Sequence, residues 1–192
     1  MTIHENGPPR REQWFAELFD HAYGPVLRFV ERRVHPSHAE DIVADVFLVA
    51  WRRLDDVPVG LDDARAWLFG VARRTLLAGV RGEQRQQALA VRVAQDAAAR
   101  VTAGDLDPDV LVQRLDLAQA WERLSAVHQE ALALTVWDGL DAPRAARVLG
   151  ISPVAYRLRL SRARKALRAH AQALPHPTPV RAAEAAAPRS TS

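Results

Sequence analysis

Residues Pro143 to His170 read PRAARVLGISPVAYRLRLSRARKALRAH, and this stretch decides the fold. Its basic residues are Arg144, Arg147, Arg157, Arg159, Arg162, Arg164, Lys165 and Arg168, with no Asp or Glu among them, so it carries a formal +8 against +3 for the whole chain. Asp141 can cap a first helix by accepting a hydrogen bond from an otherwise orphan backbone N–H, and Pro143 suits the first turn because it needs no such bond. Gly150 can take the left-handed conformation that ends a helix cheaply; Ser152 can then cap a second helix with Pro153 at its first position. Ala146, four residues before Gly150, leaves room for the helices to cross closely. Ile151, Tyr156, Leu160, Ala163 and Leu167 mark an apolar seam on the second helix.

Two short-linked helices of this kind read as a helix-turn-helix. The second would enter the major groove of DNA by its N-terminal turns, its arginines reaching phosphates and base edges. The plainer alternative is an amphipathic helical hairpin with a solvated basic face.

The 192 residues suit one domain of ordinary size or two small ones, and an apolar fraction of 48% is enough for a core. No cysteine is present, which excludes disulfides and thiolate zinc sites. The N-terminus MTIHENGPPRREQW lacks the apolar centre of a signal peptide. The most apolar run, Ile42 to Trp51, is broken by Asp45 and falls short of the roughly 20 residues a bilayer requires. A soluble, cytoplasmic protein is expected. Charge is segregated: Glu40, Asp41, Asp45, Asp55, Asp56, Asp62 and Asp63 face only Arg52 and Arg53 in the same window. A basic domain for nucleic acid and an acidic patch for a basic protein partner would account for this.

From Trp14 to Val34, apolar residues recur at helical spacing with an interruption near Gly24 and Pro25, predicting one bent helix or two short ones. Ser37 followed by Glu40 has the capping-box pattern and predicts a helix through Leu54. On that helix Asp41, Asp45, Leu48 and Arg52 lie near one another, off the wide apolar face. His35, His38 and Asp41 have a spacing that could bind a metal, but no further histidine follows to complete a shell. Residues 55–63 read as a loop. A third helix is expected from about Ala64 to Arg85, with Trp67, Leu68, Val71, Leu76 and Val80 apolar and Arg65, Arg73, Arg74, Arg81 and Arg85 basic. Arginines beside aromatics suit single-stranded nucleic acid, where bases stack on rings; Trp67 and Phe69 could equally be core. Residues 86–107 read as a linker, and a second helical set opens near Pro108. Ser125 can cap a helix that Gly139 ends, and the Pro- and Ala-rich segment from 173 onward reads as disordered.

Two all-helical halves, each ending in a basic helix, resemble a group IV (extracytoplasmic-function) sigma factor of bacterial RNA polymerase over about residues 14 to 170. AEDIVADVFLVAWRRL is similar to the polymerase-binding helix of that family, ARAWLFGVARRTLLAGVRGEQR to its −10 recognition and melting segment, and LSAVHQEALALTVWDGLDAPRAARVLGISPVAYRLRLSRARKAL to its −35-binding domain. The resemblance implies an all-α fold of two small domains, 12–85 and 108–172, joined by a flexible linker between short disordered ends. It implies a dissociable, non-enzymatic specificity subunit with no cofactor. Asp41, Asp45, Leu48 and Arg52 would meet the clamp helices of the polymerase's largest subunit, and the second domain would hold the flap of the other large subunit. Arg65, Trp67, Arg73, Arg74, Arg81 and Arg85 would meet the opened −10 strand, with a base captured by the loop at 55–63. Ser152, Pro153, Val154, Arg157, Leu158, Arg159, Arg162 and Lys165 would meet the −35 duplex, and an anti-sigma protein is an implied partner. Departures from the family pattern stand at Ala44, Arg74, Ala78, Arg144, Val154 and Ala155. The rival reading is a helix-turn-helix regulator that binds duplex DNA without polymerase. No Gly-rich phosphate loop or paired nucleophile and base suggests an enzyme.

Overall fold

The computed structural model describes residues 8–78 and 108–173, with side chains from 10–78 and 115–173. Seven α-helices run through these residues: α1 (Pro8–Glu31), α2 (Pro36–Arg52), α3 (Leu61–Ala78), α4 (Pro108–Glu122), α5 (Ala126–Val136), α6 (Ala142–Leu149) and α7 (Pro153–Gln172). No strand occurs among the described residues. Arg81, Arg85, the linker 86–107 and the segment after 173 lie outside them.

The helix-turn-helix forms through the chemistry read from its punctuation. Asp141 accepts the Arg144 N–H at 2.9 Å and opens α6. Gly150 closes α6 at φ 67°, where a side chain would be strained, and the Ile151 N–H returns to the Ala146 carbonyl at 3.0 Å. Ser152 then accepts the Ala155 N–H at 3.1 Å and starts α7 with Pro153 first. Tyr156, Leu160 and Ala163 are buried under α7, with Ile151 and Leu167 packed beside them.

Other expectations need correcting. The helix at α2 is not capped by a Ser37–Glu40 box. His35 is its N-cap, accepting the Ser37 N–H at 3.3 Å, and Pro36 opens the helix. A ring nitrogen two residues upstream has displaced the serine hydroxyl, which itself bonds His35 Nδ1 at 2.8 Å. Of the two arrangements read for the first helix the single one forms, and it starts ahead of Trp14. It is continuous from Pro8, because Leu18, Ala22, Val26, Phe29 and Val30 are all fully buried on one face across the proline. That burial outweighs the single hydrogen bond Pro25 forgoes. The acidic loop folds as a short 3-10 turn at Leu54–Asp56, and α3 begins at Leu61, ahead of Ala64. Ser125 sits at the N-cap of α5, but its backbone carbonyl takes the His128 and Gln129 N–H groups and its hydroxyl makes no cap bond.

The first half packs α1, α2 and α3 on one another; the second packs α7 across α4, α5 and α6. Phe29 and Phe69 stack at 4.9 Å in the first core, so Phe69 is a packing residue and not a base platform. The halves also pack together, α3 lying against α6.

Candidate nucleic-acid and protein interfaces

The outer face of α7 is set by what its inner face buries. The Tyr156 hydroxyl donates to the Ala131 carbonyl at 2.8 Å and lies 2.7 Å from Thr135 Oγ1, pinning α7 to α5. Burial pushes the phenol of Tyr156 up, so it stays a neutral donor. With Tyr156 inward, Val154 (70% exposed) and Leu158 (52%) point away from the protein. Ser152, Pro153, Arg157, Arg162 and Lys165 are exposed with them, whereas Arg159 is half-covered on the flank. Seven of the eight residues read as −35 contacts thus share one open surface.

On α2, Asp41, Asp45, Leu48 and Arg52 are all exposed, Leu48 by 44%. The structure adds Trp51 (40% exposed) and Phe19 beside them. Trp51 meets Phe15 edge-on at 5.1 Å, and Phe19 lies 4.8 Å from Phe47. An open apolar ledge therefore borders the acidic stripe. The spacing of Trp51 three residues after Leu48 signals this, but on sequence Trp51 falls within the wide apolar face.

The third group is less free than its composition suggests. Arg65 reaches Asp62 at 3.3 Å, and Arg74 is exposed. Trp67 is half-buried, with the Arg53 guanidinium 6.0 Å from its ring. It lines a cleft of about 110 Å³ with Pro58, Asp63, Ala66, Gly70, Arg74 and Arg147. Arg73, expected to face DNA, instead donates to both carboxylate oxygens of Glu130 at 2.7 and 3.3 Å.

This pairing belongs to a charged seam between the halves that sequence reasoning missed. Asp63 accepts from Arg144 Nε at 3.0 Å and also from Arg147. Those two guanidinium groups hold the Asp63 carboxyl below the usual carboxylate range. Arg32 donates to Asp138 and lies 5.7 Å from the Trp137 ring. Burial pushes the Asp138 carboxyl up against the opposing pull of Arg32 and Arg33. Arg33, wholly enclosed, donates to the Phe29 carbonyl at 2.7 Å, and desolvation brings its pKa down to about 10.

An all-α protein with a capped helix-turn-helix and a second helical unit has the architecture of a DNA-binding specificity factor. Residues 18–86 match Sigma-70 region 2, and residues 114–167 match Sigma-70, region 4. The ECF RNA polymerase sigma factor SigL of Mycobacterium tuberculosis is 30% identical over 161 residues, 82% of this chain and 88% of SigL. The RNA polymerase sigma factor NccH of Alcaligenes xylosoxydans xylosoxydans is 34% identical over 143 residues, 71% of this chain and 74% of NccH. Among solved structures, CnrH in complex with the cytosolic domain of CnrY aligns with a TM-score of 0.56 at 27% identity, covering 82% of this chain and 87% of CnrH. RpoE of Bartonella quintana, in complex with the anti-sigma factor NepR, shares the fold with a TM-score of 0.57 at 24% identity, covering 84% and 98%. The chain belongs to the extracytoplasmic-function sigma factors of the sigma-70 family. It is a promoter-directing sigma factor.

Proposed function

We propose that this sigma factor docks on core RNA polymerase through Asp41, Asp45, Leu48 and Arg52, with Trp51 and Phe19 adding apolar area. The carrying observation is the separation of two open surfaces: an acidic and apolar stripe on α2, and a basic face on α7 that starts from a capped N-terminus. Acids suit a basic protein partner and arginines suit phosphates, so one chain can bridge polymerase and DNA. Ser152, Pro153, Val154, Arg157, Leu158, Arg162 and Lys165 contact the −35 duplex, with Arg159 at the edge of that surface. Arg65, Trp67 and Arg74 contact the opened −10 strand, together with Arg81 and Arg85 beyond α3, while Arg73 borders that surface with its Nε and one Nη engaged by Glu130. The working units are 12–85 and 108–172, joined by 86–107. The protein acts in the cytoplasm without catalysis of its own. No described helix is long and apolar enough to cross a membrane. CnrH and the Bartonella RpoE each occur in complex with another protein, CnrY and the anti-sigma factor NepR; an anti-sigma partner is proposed here too.

The test is co-purification with bacterial core polymerase, then transcription from a pool of genomic fragments with and without the protein. New start sites that share two spaced elements are expected. Duplex binding without polymerase association would favour the regulator reading. Replacing Asp41 and Asp45 by Ala is expected to weaken polymerase association while the Tm holds; equal affinity would remove α2 from the interface.

A further inference from the structure

We propose that Arg33 forms an enclosed anion site whose ligand is a small monovalent anion of the chloride class. The proposal does not depend on the sigma reading. Arg33 follows α1 and is 4% exposed. Its guanidinium carbon lies 3.6 Å from the centre of the Phe29 ring, and its Nη1 donates to the Phe29 carbonyl at 2.7 Å. Its Nε and Nη2 have no hydrogen-bond partner. In a planar guanidinium these two nitrogens aim one N–H each in the same direction, the fork by which arginine takes hold of an anion. At Arg33 that fork is buried, and no protein group accepts from it.

The surrounding charges do not supply the acceptor. Glu130 accepts from Arg73 at 2.7 and 3.3 Å, Asp138 accepts from Arg32, and Arg65 reaches Asp62 at 3.3 Å. Asp138 and Glu130 lie within electrostatic reach of Arg33, and Arg32 and Arg65 within reach of Asp138. Four guanidinium groups therefore share three carboxylates, and the uncompensated charge falls on Arg33. One monovalent anion balances the set. Arg32 Nε and Arg65 Nε are also unpartnered, against a single acceptor, Asp138 Oδ2. A water could bridge that oxygen to one of the donors, but it brings no charge, and a buried charge is stable only when paired.

Enclosure selects the size of the ligand. The side chains of Asp138, Glu130 and Arg32 are 0, 3 and 11% exposed. A nucleic-acid phosphate tied to its backbone cannot follow a guanidinium to that depth, whereas a halide can. Charges this deep are screened far less than surface ones. An ion bound there makes the protein respond to the kind of salt around it and not only to ionic strength.

The test follows the Tm of the full chain by calorimetry as sodium chloride replaces sodium gluconate at fixed ionic strength, gluconate being too large for the fork. A saturable rise of about 3–6 °C by ten times the dissociation constant is expected. Arg33→Met removes the fork and should abolish the rise; Arg168→Met, on an exposed part of α7, should keep it. Crystals grown in sodium bromide should show an anomalous peak in hydrogen-bonding contact with Arg33 Nε and Nη2. Equal Tm in the two salts, or a rise that Arg33→Met retains, would overturn the proposal. So would a water at the fork in place of bromide, or bromide there without a saturable rise, which marks an adventitious ion only. If Arg33→Met fails to fold, the wild-type salt comparison and the bromide crystal still decide.

Discussion

Replacing Arg157 and Arg162 by Ala tests how α7 meets DNA. At 3.6 residues per turn the two positions lie about 140° apart around the helix, flanking the line through Val154, Leu158 and Lys165. A helix seated in the major groove would then turn Val154 and Leu158 to base edges and send the two arginines to opposite walls, where the phosphates are. Each lost phosphate contact lowers the slope of log K against log salt by about 0.9, so the pair lowers it by about 1.8. Between 50 and 200 mM salt, a fourfold change, that slope difference amounts to about 1.1 logarithmic units. The penalty of the double substitution should therefore shrink about twelvefold over that range. Fluorescence anisotropy of holoenzyme on a duplex −35 fragment across the two salts measures it. The same fold-penalty at both salts would refute placement of the guanidinium groups on phosphates. Leu158→Ala should alter base preference and leave the slope unchanged.

Three further outcomes follow from the packing. Tyr156→Phe removes a buried hydroxyl that bonds Ala131 and Thr135, which should cost about 1–2 kcal/mol. That corresponds to a fall in Tm of roughly 3–8 °C by calorimetry, and an unchanged Tm would show that the contact does not anchor α7. The pKa of Arg33, down at about 10, means its charged form is held at neutral pH at a cost of roughly 3 kcal/mol. Arg33→Met should raise stability in urea by about 1–3 kcal/mol, and a loss would show that Asp138 and Glu130 need that third guanidinium. The pKa of Asp63 is also lowered, so stability rises with pH through its titration. Its contribution is present above the ordinary carboxylate value near 4 and is lost as pH falls through the lower value of the folded protein. The facing groups are Arg144 and Arg147 from α6, with Asp62 and Asp141 near Arg144. Carboxyl NMR should find Asp63 titrating below that ordinary value and returning to it when both arginines become Ala; an ordinary value in the wild type would refute the pairing.

The helix-turn-helix was legible because its determinants act within a few residues. Asp141, Gly150 and Ser152 each find their partners inside one turn, so the string of residue types is nearly sufficient. Local competition was harder to resolve. Ser37 had the right spacing to Glu40, but His35 offered a closer acceptor, and the choice between one helix and two at Pro25 was left open because only the buried face that continues past it decides. The open face of α7 followed from the position of Tyr156. The ledge at Trp51 and Phe19 did not, because it depends on which aromatics α1 and α2 leave uncovered.

The seam was illegible for a physical reason. Glu130 lies 57 residues from Arg73, and Asp63 lies 81 from Arg144, so no window of helical periodicity contains both members of either pair. An arginine on a basic helix looks the same in sequence whether its donors meet a phosphate, a carboxylate or water. Arg144 sharpens the point: it stands among the departures from the family pattern, and in the folded chain it holds Asp63. Arg144→Ala separates a packing role from a DNA-binding one, since loss of the ion pair to Asp63 alone should lower the Tm and leave promoter binding unchanged, whereas loss of a phosphate contact should weaken promoter binding and flatten its salt dependence.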